Sequence, residues 1–179
     1  TNKLYDKLSK EINININKFI PLNDINLLDE LNINVIKTSH DATDSVGFIF
    51  ETKNSSLVYI TDTGYINIKY FESMKNKKSY IFESNHDIEM LMNGKYRHEL
   101  KVRILGDKGH LSNEMSTEYL SKLIGIDTKY IILAHLSEEN NTELLAYETL
   151  NKKLKQEKIE NKKIIIAKQN ERMDLIEIW

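Results

Sequence analysis

Residues 128–134 read TKYIILA, and the residue that follows is His135. The unbroken apolar centre, Ile131 to Ala134, predicts a strand buried on both faces, as in a layered α/β sheet. Helical periods flank it. Upstream, 113–124 places Met115, Tyr119, Leu120, Leu123 and Ile124 close to an i, i+4, i+8 pattern. Ser112, Asn113 and Glu114 offer N-cap residues, and Gly125 falls where a C′ glycine would. Downstream, 142–158 predicts a second amphipathic helix with Leu144, Tyr147, Leu150 and Leu154 inward. Its Lys152, Lys153, Lys155 and Lys158 read as a solvated outer face. Working outward again, SYIF (79–82), IIIA (164–167) and LIEIW (175–179) read as shorter strands.

The first third is β-rich. VGFIFE (46–51) and LVYIT (57–61), joined by polar residues 53–56, predict a hairpin. LNINVIKT (31–38) alternates, with Leu31, Ile33 and Val35 on one side. EINININK (11–18) also alternates, although its biased composition fits low complexity as well as a strand. The expected class is α/β (α+β), with neither an internal repeat nor a linker.

At 179 residues the chain suits one domain. A formal net charge of -2 excludes a strongly basic coat, though not a local basic patch or a phosphate-attracting metal site. With no cysteine, disulfides, thiolate metal sites and thiol nucleophiles are excluded, which is compatible with a reducing cytoplasm. Neither a spanning apolar run nor the apolar core of a signal peptide is present. The chain begins with Thr1, as expected of a chain that was processed or cut from something longer.

His40, Asp62, Glu83 and His135 each fall at the end of an expected strand. Ligands gather outside the carboxyl ends of strands in such sheets. Imidazole and carboxylate are donors that zinc, manganese and iron accept. Taken singly, each residue is also explained as a turn former or a half-buried loop residue. His86 (in ESNHD) and His110 (in GHLSN) sit in further polar loops, whereas His98 reads as an exposed helix residue. A nucleophile elbow, a P-loop and a dinucleotide fingerprint are all absent.

Five blocks in order carry a resemblance: SHDATDSVGFIFE (39–51), YITDTGYI (59–66), ESNHDIEML (83–91), LKVRILGDKGHLSNE (100–114) and AHLSEENN (134–141). They resemble the YycJ/WalJ family of metallo-β-lactamase-fold hydrolases. The resemblance implies a four-layer αββα sandwich with a two-metal site (zinc or manganese) between its sheets. It implies that His40 and His135 are metal ligands and that Asp62 bridges both ions. It places His86 and His110 beside the substrate as catalytic candidates, with Ser112, Asn113 and Ser137 as substrate contacts. The implied activity is a cytoplasmic nuclease, with DNA the expected substrate and a 5′ end the expected start.

Two departures stand against the family pattern. The main metal motif, HxHxDH, is absent from this sequence, so residues 1–179 are expected to form an N-terminally incomplete domain. Arg97 follows Tyr96 where the family has proline. The alternative expectation is therefore an inactive fragment, or an interaction module that needs a partner segment. A lactonase- or thioesterase-like hydrolase is disfavoured by the GHLSN and ESNHD loops.

Overall fold

The computed structural model describes residues 25–28, 31–174 and 176–177. The alternating segment 11–18 lies outside them, as does most of 175–179. The described strands are β1 (Ile25–Leu28), β2 (Leu31–Lys37), β3 (Val46–Glu51), β4 (Ser56–Ile60), β5 (Ser79–Glu83), β6 (Tyr130–Ala134) and β7 (Lys163–Ile166). The helices are α1 (Phe71–Met74), α2 (Ile88–Asn93), α3 (His98–Leu105), α4 (Asn113–Leu123) and α5 (Glu143–Gln156). Among the described residues the strands form one seven-stranded sheet whose spatial order follows the chain order. Pairing is antiparallel from β1 to β4 and parallel from β4 to β7. The expected hairpin is β3–β4, in the register Phe48–Tyr59 to Glu51–Ser56. This is one β layer and its helical cover, half of the expected αββα arrangement.

One face of the sheet carries the main core. Ile36, Ile49, Val58, Ile60, Tyr80, Phe82, Ile131 and Leu133 meet Leu120 and Leu123 of α4 and Leu150 and Leu154 of α5. β2 alternates as expected, but the core takes Ile36, while Ile33 and Val35 lie on the opposite face of the pleat. β6 is buried along its length except at Tyr130, as its apolar run requires.

The two expected helices form as α4 and α5, with corrections to their buried faces. In α4, Ser116 and Thr117 are buried beside Leu120 and Leu123, and Met115 is exposed. In α5, Ala146 takes the inward position, and Leu144 and Tyr147 are exposed. A small side chain there lets the helix sit close to its neighbours. Lys153 is no idle surface charge, because its Nζ lies 2.6 Å from Glu118 Oε1 of α4 and 3.0 Å from Glu157 Oε1. Gly125 does not take the left-handed C′ conformation, since no described glycine has positive φ. It is needed for space: a Cβ there would lie 2.1 Å from Asn76 Oδ1.

Tyr80 is a buried polar pin beneath the sheet. Its hydroxyl lies 2.8 Å from the Met74 carbonyl and 2.9 Å from that of Leu123, and it accepts from the Lys77 amide at 3.0 Å. Burial pushes the phenol up to about 12. Tyr80→Phe strands these groups without water. It is expected to lower stability by about 2–3 kcal/mol in urea unfolding, with the fold unchanged. A change of less than about 0.5 kcal/mol would mean the hydroxyl bonds little.

Candidate metal centre

The site begins with the way the strands end. β2, β4, β5 and β6 deliver His40, Asp62, Glu83 and His135 to one edge of the sheet, and the loop before α4 adds His110. Asp62 and His135 both have left-handed backbones, φ 55° and 59°. In a residue with a Cβ that conformation costs about 1–2 kcal/mol and persists only when neighbours hold it. Asn85 Nδ2 holds the second by donating to the His135 carbonyl at 2.9 Å. The Asp62 amide is held by Glu83.

Glu83 is the hub. Its carboxylate is fully buried. Oε1 accepts from His110 Nδ1 at 2.8 Å, His135 Nδ1 at 2.7 Å and the Asp62 amide at 3.2 Å. Oε2 accepts from the amides of Thr63 at 3.0 Å and Leu111 at 3.1 Å. Burial alone would raise its pKa. The hydrogen bonds from His110 and His135 outweigh burial and hold it at about 2. In return the bond to Glu83 raises the His135 pKa above its ordinary value.

These bonds orient the rings. With Nδ1–H of His110 and His135 pointing at Glu83, Nε2 of each is left for other partners. His40 follows the same rule, its Nδ1 donating to the Gly109 carbonyl at 3.2 Å. Asp62 Oδ1 then lies 3.8 Å from His40 Nε2 and 3.7 Å from His135 Nε2. The His110 ring sits between the other two, with centroids 4.9 Å from His40 and 5.2 Å from His135. Two donor groups are thereby close enough to hold a cation: His40, Asp62 and His110, and Glu83, His110 and His135. The four side chains His40, Asp62, His110 and His135 line a cleft of about 820 Å³, and Ser137 lies on its wall.

The structure brings together His40, Asp62, His110, His135 and Ser137 and sets three expected residues apart. His86 is 1% exposed and does not line the cleft; a bridge to Ser112 seals it in. Burial, and then the neighbouring His110, hold its imidazole down at about 4. Ser112 caps α4 by accepting from the Met115 amide. Asn113 is buried, accepting from Ser84 Oγ at 2.6 Å and exchanging hydrogen bonds with Asn141. These three therefore hold the loops beneath the cleft rather than face it. The sequence reading placed Glu83 at a strand end but did not draw it into the site. His98 is exposed at the start of α3, as expected. Arg97 caps that helix with φ −62°, the angle a proline would impose.

The sheet that carries these residues has the fold of the metallo-β-lactamase-fold proteins. The solved structure of YhfI from Bacillus subtilis matches with a TM-score of 0.53 at 17% identity, over 84% of this chain and 52% of that one. Unliganded yeast PDE1 matches with a TM-score of 0.55 at 14% identity, over 83% and 47%. No family model matches the chain. In sequence the chain is similar to the YycJ and WalJ proteins. It is 39% identical over 130 residues to an exodeoxyribonuclease YycJ of Bacillus anthracis, covering 72% of this chain and 49% of that protein. It is 41% identical over 127 residues to an exodeoxyribonuclease WalJ of Streptococcus pneumoniae, covering 71% and 47%. The chain thus spans about half the length of these relatives. No described helix is long and apolar enough to cross a membrane.

Two stability tests follow from the buried groups. Glu83 has a depressed pKa, so its contribution is complete above about 4.5 and is lost as pH falls toward about 2. Glu83→Gln is expected to lose about 2–4 kcal/mol at neutral pH, with the gap to wild type closing across that acid window. His86 is also depressed, so its neutral burial supports the fold above pH 6.5 and ceases to do so as pH falls toward about 4. Over that window wild type should lose about 3 kcal/mol more than His86→Asn in urea titrations. Parallel pH curves for the two proteins would show that His86 is not buried neutral.

Proposed function

We propose that the protein carrying this chain is a metal-dependent phosphodiester hydrolase, a cytoplasmic nuclease that removes nucleotides from an end of DNA. One observation carries the reading: three imidazoles oriented from behind converge with Asp62 on one cleft. The names of the YycJ and WalJ relatives point to DNA. The absence of cysteine fits a compartment where disulfides do not form.

The residues present fit divalent metal. Each imidazole has its Nδ1 engaged by an acceptor, and Asp62 presents a carboxylate oxygen between His40 and His135. His40, Asp62 and His135 are the residues that would hold two ions, zinc or manganese. When bound, such ions supply Lewis-acid stabilisation of phosphoryl charge and a water acidic enough to ionise near neutral pH.

The chain's own residues do the rest. Asp62 orients the attacking water. His110 stands between the ligand imidazoles with Nδ1 locked on Glu83, so Nε2 faces the cleft and can hand a proton to the leaving oxygen or hold a phosphate oxygen. Glu83 supports the cationic form of that ring during the transfer and fixes its tautomer. Ser137 offers a hydroxyl to the substrate on the cleft wall. A specific observation supports the alternative of an inactive fragment or interaction module: the chain carries no HxHxDH and spans half of its relatives.

The test uses a parent protein that includes an HxHxDH segment, assayed on end-labelled DNA and RNA with manganese or zinc. Asp62→Ala and His135→Ala are expected to lose nearly all activity. His110→Ala should lose about 10²–10⁴-fold in kcat, the usual worth of a positioned acid. His98→Ala should remain close to wild type. Equal damage from His98→Ala and Asp62→Ala would mean the wrong histidines have been chosen. A parent protein that hydrolyses no phosphodiester with either metal would leave the fragment or module reading.

A further inference from the structure

Positive charge in this chain is not spread evenly. Residues 94–109 hold five Lys or Arg and two Asp or Glu, in a chain whose net charge is -2. The segment is α3 with its flanking turns, and it forms one wall of the cleft through Tyr96, Leu100, Arg103 and Ile104. The exposed acids Glu138 and Glu139 line the same cleft.

Two of the five cations are already engaged. Arg103 is paired with Asp41, its Nη2 lying 3.0 Å from Oδ1, and Lys101 Nζ is bonded to the carbonyls of Met92 and Gly94. Lys95, Arg97 and Lys108 are exposed, and none has an ion-pair partner among the described residues. They stand at the two ends of α3. Lys108 is next to the metal centre, because its carbonyl accepts from the Asp41 amide and the carbonyl of its neighbour Gly109 accepts from His40. Lys95 and Arg97 flank Tyr96 at the far end. The eight residues of α3 extend about 12 Å, room for roughly three phosphates at ~3.4 Å per stacked nucleotide.

We infer that this wall is the track for a single-stranded nucleic acid. Its phosphates would be held by Lys108, Arg97 and Lys95 at the two ends of α3, and a base would stack on Tyr96. A cationic track with an aromatic platform is the usual means of holding single strands without reading sequence. The inference rests on the phosphodiesterase reading for its ligand class but names a surface that reading does not require.

The experiment measures fluorescence anisotropy of a labelled short single-stranded DNA with the 179-residue chain in EDTA, so that nothing is cleaved. The variants are Lys95→Ala/Arg97→Ala/Lys108→Ala on the wall and Lys152→Ala/Lys155→Ala/Lys158→Ala at the C-terminal end of α5 and just beyond it, which removes the same charge elsewhere. Circular dichroism verifies that both fold. The wall variant is expected to bind at least about tenfold more weakly at ~50 mM salt, with a log–log salt slope smaller by about 2, from ~0.7 per phosphate contact. The α5 variant should match wild type, and Tyr96→Ala should weaken binding with the salt slope unchanged. No binding by wild type at ~50 mM salt, an unchanged slope in the wall variant, or equal loss in both triple variants would each overturn the inference. In the parent protein the two proposals separate. Hydrolysis of DNA with KM unaffected by the wall substitutions overturns the track alone. Wall-dependent binding without hydrolysis overturns the hydrolase reading and leaves the track standing.

Discussion

A single carboxylate organises this molecule. Glu83 lies at the end of β5, without solvent, and accepts five hydrogen bonds from the loops after β4 and β6 and the loop before α4. A buried charge is tolerable only when it is fully paired and hydrogen-bonded. That condition dictates the rest: the turn at Asp62 and Thr63 must bring its amides inward, and two histidine rings must turn their Nδ1 edges the same way. Convergence at the cleft is the other side of that arrangement, since a ring whose Nδ1 is fixed on Glu83 has one remaining nitrogen and one direction for it.

The same economy explains the unusual backbone at Asp62 and His135. Both residues leave their strands with left-handed backbones. Local conformational energy disfavours this, and the amide bond to Glu83 and the carbonyl bond from Asn85 restrain it. Beneath them a second polar layer, Ser84, Asn113 and Asn141, ties the loop after β5 to the starts of α4 and α5. Asn113, expected at the substrate, is buried within this layer.

Much of the fold was legible because its strands are short apolar runs and two of its helices, α4 and α5, start at hydroxyl caps, Ser112 and Thr142. Residues 128–134 read as a doubly buried strand for the reason that holds in the structure: a side chain on either face has a hydrophobic neighbour. The faces of the helices were less legible. Periodicity locates a stripe of large apolar residues, but contact between a helix and its neighbours selects by size, and Ala146 rather than Leu144 or Tyr147 fits where α5 comes close. At the site, strand ends and family blocks point to His40, Asp62, His110 and His135, which the structure places on one cleft. The burial of Glu83 among its donors and of His86 away from the cleft follows from long-range contacts. The partners of Glu83 lie 20 to 52 positions away, and His86 is sealed by a bridge to Ser112. No local pattern encodes such contacts.

Strand order has a consequence for how the molecule comes into being. Because each described strand pairs with the one before it in the chain, the sheet can lengthen at one edge as the polypeptide leaves the ribosome, with no strand inserted between two already paired. β5 emerges with Glu83 at its tip long before residues 110 and 135 exist. Until β6 is made, that carboxylate remains an edge-strand terminus in contact with water. The histidines that compensate its charge arrive with the elements that bury it, so synthesis from N- to C-terminus never requires the charge to be desolvated before its donors are present.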